Sequence, residues 1–180
     1  RNIGTGHMTQ LTVSAPKMAY VLIHDSGNFW LIDDLEIGDL LAAAKSNLPK
    51  NFSASHESID TVNINGSIWY SILNKVKQTI KIILEWGGSE FLVRIYTPDG
   101  TLYDEYQSAT PPICIDIQDA DPGEWKIEVI AIDIPHDNYP VALVIGQPDF
   151  DEDGIVDQDD NCPDTPNPDQ LDVNGNGIGD

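Results

Sequence analysis

Basic residues are scarce. Nine Lys and Arg stand against 30 Asp and Glu, which leaves a formal net charge of −21 over 180 residues. A nucleic-acid partner needs a basic stripe, and none is present. Cysteine is scarcer still: Cys114 and Cys162 are the only two, too few for a disulfide scaffold. No apolar run is long enough to span a bilayer. The chain also lacks G-x-S-x-G, H-E-x-x-H and P-loop patterns. Its histidines (His7, His24, His56 and His136) are scattered. His24, Asp25 and Ser26 are adjacent, and neighbours cannot easily meet as a triad requires. Cys114 has no neighbouring cue for a nucleophile. We therefore expect no enzyme.

What the chain does have is a dense acidic end. Residues 149–180 hold ten Asp, one Glu and no base. Asp149, Asp151 and Asp153 alternate, Gly154 follows, and Asp157, Asp159 and Asp160 come at wider spacing. Carboxylates this close repel unless a cation sits among them, and the segment supplies none. Alternating oxygens wrap one side of an ion, Gly154 allows the sharp turn, and the Ile155 carbonyl closes the loop. Many hard oxygens without His or thiolate suit Ca²⁺. The expected ligands are Asp149, Asp151, Asp153, Ile155, Asp157 and Asp160, with Asp159 shared or one layer out. The pattern recurs 23 residues later in Asp172, Asn174, Asn176, Gly177, Ile178 and Asp180. The bland alternative is a disordered acidic tail. Such tails do not set glycines in register.

The connector 161–170 reads Asn-Cys-Pro-Asp-Thr-Pro-Asn-Pro-Asp-Gln. Together with the two loops it resembles the thrombospondin type 3 repeat, a calcium-binding repeat of extracellular proteins. The resemblance implies ions in place of a hydrophobic core, and a stiff calcium-filled chain. A dockerin is the nearest rival, but its loops are followed by helices, which this proline-rich connector cannot form. Two features depart from the repeat. The second loop stops at Asp180, before its last ligand, and the cysteine that usually follows is missing. Both imply a longer parent chain. Cys162 then lacks its usual partner. A Cys114–Cys162 disulfide is one candidate outcome, and a packed Cys114 beside a waiting Cys162 is the other.

Residues 1–8 end in Gly6-His7-Met8 and read as a cloning scar, so they say nothing about a leader. Residues 9–58 form a mixed segment, either part of the main domain or the remnant of another. Strands are expected at 11–14, 18–24 and 28–32. Leu35, Ile37, Leu40, Leu41 and Ala44 fall at helical spacing, with Asp33 or Asp34 as cap and an end near Asn47, since Pro49 disfavours helix at Leu48. Residues 50–58 are polar and read as a loop.

From 59 to 146 the pattern is period two. Ile80, Ile82, Leu84 and Trp86 alternate with Thr79, Lys81 and Glu85. Phe91, Val93 and Ile95 follow, then Ile113, Ile115 and Ile117, then Trp125, Ile127 and Val129, then Val141, Leu143 and Ile145. Turns at Gly87-Gly88, Pro98-Asp99-Gly100 and Asp121-Pro122-Gly123 separate them. The reading is a mainly β chain: an antiparallel, jelly-roll-like β-sandwich of five or six strands, one short helix in its N-terminal part, and a calcium repeat without regular secondary structure. Ile68-Trp69-Tyr70, the run FLVRIYTPDGTLY of 91–103 and Pro122-Gly123-Glu124-Trp125 resemble the bacterial pre-peptidase C-terminal domain. That resemblance implies a non-catalytic appendage of a secreted enzyme or surface protein. The family's aspartates are not matched around Glu90.

Trp69, Trp86 and Trp125 suggest either a carbohydrate platform or core packing, and two of them continue apolar faces. Asn51 and Asn65 begin glycosylation sequons, a motif that often occurs by chance. The sequence thus leads to an extracellular or cell-surface module that binds Ca²⁺ and acts as a stiff spacer or adhesion element beside neighbouring domains. The alternatives are a module that binds a polysaccharide or surface protein, and the appendage of a secreted hydrolase. Sandwich and tail are expected to behave as independent units.

Overall fold

A computed structural model of the protein describes residues 40–179. The strands expected at 11–14, 18–24 and 28–32, the start of the helix, His7, His24 and Asp180 lie outside the described residues.

The described residues begin with helix α1 (Leu40–Lys45). Eight strands follow: β1 (Phe52–Val62), β2 (Ser67–Asn74), β3 (Gln78–Trp86), β4 (Glu90–Tyr96), β5 (Leu102–Ser108), β6 (Ile113–Ala120), β7 (Gly123–Asp133) and β8 (Tyr139–Pro148). They pair into two four-stranded sheets, in the orders β1-β8-β3-β6 and β2-β7-β4-β5. Every strand pair is antiparallel. The chain is mainly β, as the period-two pattern predicts, but with eight strands rather than five or six. The period-two runs account for β3, β4, β6, β7 and β8, and they leave out β1, β2 and β5. Residues 50–58, expected as a loop, belong largely to β1, which pairs with β8 from Phe52↔Pro148 to Val62↔Tyr139. Their polar composition fits an edge strand, whose outer side needs no apolar cover.

Alternation builds the core. Ile80, Ile82, Leu84 and Trp86 from one sheet meet Phe91, Val93, Ile95, Trp125, Ile127 and Val129 from the other, all buried. Trp86 and Trp125 are therefore core residues, 2% and 3% exposed. Each indole N–H finds a carbonyl, at Ser89 (2.6 Å) and Asp121 (2.9 Å). Trp69 is separate from them, 53% exposed on the outer face of β2.

Strand β8 is buried along nearly its whole length, because its outer face is covered too. Ala44 of α1 packs there with Ile83 and Val144, and Leu41, Leu48 and Ala54 complete the patch. This explains why 141–145 of β8, and 82–84 of β3 beside it, are continuously apolar. Residues 149–179 contain turns and bends but no helix or strand.

Candidate metal centre

Strand β8 delivers Asp149 to one end of the sandwich. The Asp149 amide donates to the Asn51 carbonyl (3.1 Å), which continues the β1–β8 ladder by one rung. The chain then turns at once. Phe150 N donates to Asp157 Oδ1 (2.7 Å), Asp153 N to Asp151 Oδ1 (3.2 Å), Ile155 N to Asp153 Oδ1 (2.8 Å) and Gly154 N to Asp149 Oδ2 (3.0 Å). Gly154 has φ 98°, a conformation that side chains resist.

These bonds leave a set of oxygens facing one another. One carboxylate oxygen each from Asp149, Asp151 and Asp153 lies within 4.8 Å of the others. Asp149 Oδ1, Asp151 Oδ2 and Asp160 Oδ2 are buried and have no hydrogen-bond partner. Asp149 itself is 1% exposed. A buried carboxylate oxygen without a partner is costly. Three of them on one loop is the arrangement a cation removes. The carboxyl of Asp151 is pushed above the usual range, first by desolvation and then by Asp153, Asp160 and Asp149. A donor set of carboxylates alone fits a hard divalent ion.

The second loop repeats the first in its hydrogen bonds. Gly177 N donates to Asp172 Oδ2 (2.8 Å), as Gly154 N does to Asp149. Asn176 N donates to Asn174 Oδ1 (3.0 Å), and Ile178 N to Asn176 Oδ1 (2.8 Å). Even the backbone signs match, with Glu152 at φ 61° opposite Gly175 at 69°, and Gly177 at 80°. The loops differ in charge. Asp172 takes backbone N–H groups from Gly177, Gly175 and Asn176, which hold its carboxyl below the usual range.

The connector ties the first loop shut. Asn167 N donates to Asp153 Oδ2 (2.8 Å), and Gln170 Nε2 to Asp160 Oδ1 (2.7 Å). Asn161 N donates to Gln170 Oε1 (2.9 Å), and Asn167 Nδ2 to Asn161 Oδ1 (2.6 Å). Gly179 N returns to the Asn161 carbonyl (3.0 Å). The connector's Asn and Gln residues thus orient the carboxylates around the cluster. In the sequence alone these residues are legible only as part of the repeat signature.

Two expected participants have partners outside the cluster. Asp157 Oδ1 serves the Phe150 amide. Asp159 pairs with Lys75. Between them, Gln158 was missed altogether. Its Oε1 accepts from Lys75 N (2.8 Å) and Gln78 Nε2 (3.0 Å), and its Nε2 donates to Gln147 Oε1 (3.0 Å) and the Leu73 carbonyl (3.2 Å). Buried Asn74 joins in, donating to the Ala120 and Asp121 carbonyls and accepting from Gln78 and Gln147. The tail is therefore fastened to the sandwich end and not merely appended. Nothing local in the sequence marks Gln158, because its partners come from three distant strands.

The cysteines are not joined: both are free. Cys114 lies near the start of β6, opposite Ile83, while the tail docks beside Ala120 at the other end of that strand. Six residues of strand separate the two ends, about 20 Å. Cys162 packs instead against Gly179, where an added Cβ would come within 2.7 Å of its Sγ.

No family model matches the chain, and no curated protein matches it either. Among solved structures, the pre-peptidase C-terminal domain of a collagenase from Bacillus anthracis is similar at 12% identity and TM-score 0.44, over 52% of this chain and 90% of that one. A periplasmic inhibitor of g-type lysozyme from Aeromonas hydrophila aligns at 17% identity and TM-score 0.36, over 53% and 88%. A carbohydrate-binding module of type CBM36, solved with calcium and xylotriose, aligns at 11% identity and TM-score 0.30, over 54% and 93%. Likeness this loose carries no argument about function. The two-sheet architecture rests on the strand pairing itself.

Proposed function

We propose that the chain is a non-catalytic calcium-binding module of a secreted or cell-surface protein. Its β-sandwich carries a thrombospondin type 3-like repeat at residues 149–180, and calcium fixes the direction in which the chain leaves the sandwich. The observation that carries this reading is the trio of buried, unpartnered oxygens on Asp149, Asp151 and Asp160. Asp149, Asp151, Asp153 and Asp160 would hold the ion, with the Ile155 carbonyl, and the second loop would hold another through Asp172, Asn174, Asn176, Ile178 and Asp180. Calcium supplies charge neutralisation here and no chemistry. The Gln158 contacts support a spacer function, since a stiff repeat orients a neighbour only if its base is fixed. Filling at extracellular, near-millimolar calcium fits a dissociation constant of about 10⁻⁴ M. Calorimetric titration with calcium tests the proposal. Binding heat should appear in that range and weaken at least about tenfold in the Asp151→Asn, Asp160→Asn double variant. A flat titration up to several millimolar would refute it.

A further inference from the structure

Trp69 lies on the sheet β2-β7-β4-β5, on the face turned away from the core. So does Tyr96 on β4. Strand β7 runs between them, and the two backbones stand two strand spacings apart, about 10 Å. The rings nevertheless lean across β7 and stack, with centroids 5.4 Å apart and planes 29° apart. Tyr96 is held from below by its hydroxyl, which donates to Glu128 Oε2 (3.3 Å). Trp69 remains 53% exposed. A large aromatic left half in water on a rigid sheet, with a second ring bracing it, is not explained by the core.

Beside Trp69 runs a shallow groove of about 320 Å³, lined by Trp69, Tyr70, Ser71, Glu124 and Lys126. Cross-strand register sets Ser71 opposite Lys126 and Trp69 opposite Glu128, with Arg94 beyond Glu128. Around one aromatic surface the sheet therefore presents Glu124, Glu128, Lys126, Arg94 and Ser71, and Arg94 is paired in turn with Glu105 (3.2 Å). Carboxylates of the same face match the cations, so the patch offers no free charge to an anion, and the whole chain at −21 repels polyanions. A neutral ligand with an apolar face and a rim of groups that both donate and accept hydrogen bonds fits these walls. A pyranose ring is such a ligand: its C–H face lies on an indole, and its hydroxyls meet Lys126, Glu124 and Ser71.

We propose that this groove binds a neutral polysaccharide, with one sugar ring stacked on Trp69 and Tyr96 bracing the indole. The site is separate from the Asp149 cluster and does not depend on calcium there.

The test is affinity electrophoresis of the full chain in gels containing xylan, hydroxyethyl cellulose, mixed-linkage β-glucan or galactomannan, with gelatin as a protein control. At least one polysaccharide should retard the chain. Trp69→Ala should weaken that retardation at least about tenfold, as loss of a central aromatic anchor does. The double variant Lys126→Ala, Glu124→Ala, at two exposed positions, should weaken it severalfold and covers the case of a misfolded Trp69 variant. The proposal is overturned if none of the four polysaccharides retards the chain, if gelatin alone does, or if retardation is unchanged in a folded Trp69→Ala chain or in the double variant.

Discussion

The hydroxyl of Ser53 donates to Asp149 Oδ2 at 2.5 Å, across 96 residues of sequence. Ser53 is on β1 and Asp149 is the first residue beyond β8, so one bond joins the edge of the sheet to the start of the acidic loop. The same oxygen accepts from Gly154 N, which leaves Oδ1 free to face the cluster. The sandwich thereby aims its own carboxylate at the ion.

Removing that aim should weaken binding without abolishing it. Ser53→Ala leaves the carboxylate in place but frees its rotation, and calcium affinity should fall a fewfold. Asp149→Ala deletes an oxygen ligand and should cost much more, about tenfold or beyond. Calorimetry on both variants checks the order. Equal losses would mean that Ser53 is as necessary as a ligand, contrary to this account.

Chelation should loosen the tail unevenly. Val156 is buried and Gln158 is fixed by four hydrogen bonds to the sandwich. Residues 161–179 rest on the carboxylate cluster and on contacts within the tail itself. Without calcium, clustered negative charge and few apolar contacts cannot offset the entropy of ordering them. Hydrogen exchange in chelator should show lost protection beyond about residue 160, retained protection in the strands, and an intermediate response at 155–159. Uniform loss through the sandwich would contradict it.

Gln158→Ala should destabilise the sandwich, although the residue lies outside every strand. It strips partners from Gln147, Gln78 and the Lys75 amide at one stroke. Losing the bonds to such partly buried groups costs about 1–3 kcal/mol. Urea unfolding followed by tryptophan fluorescence would detect this as a lower midpoint. An unchanged midpoint would show that water replaces Gln158 at no cost.

Tyr70 sets an alkaline limit. Its hydroxyl donates to Asp60 Oδ2 (2.8 Å), and burial first, then that bond, push its ionisation well above the ordinary value of 10.0. The folded state therefore holds the proton more tightly than the unfolded state. This contribution is full below about pH 10 and declines as pH rises from there towards the folded value. Stability should fall with pH in that window, and Tyr70→Phe should flatten the slope. Urea midpoints on either side of pH 10 provide the check.

The sequence by itself determined the strand faces. Period-two runs such as Ile80-Lys81-Ile82 identify a buried face because side chains alternate whatever the partner strand is. It also determined the two acidic loops, because Asp, Asn and Gly at matched offsets impose the same local turns 23 residues apart, as the paired bonds of Gly154 and Gly177 show. What required the tertiary structure was everything joining distant segments. Polar β1 is a strand only because β8 offers it a ladder. The exposure of Trp69, against the burial of Trp86 and Trp125, depends on which face of which sheet each occupies. The free state of Cys114 and Cys162 follows from the end of the sandwich at which the tail docks. Gln158 and Ser53 became legible only once their partners arrived from other strands. Local pattern fixes local geometry, whereas a hydrogen bond between residues 96 apart has no period to announce it.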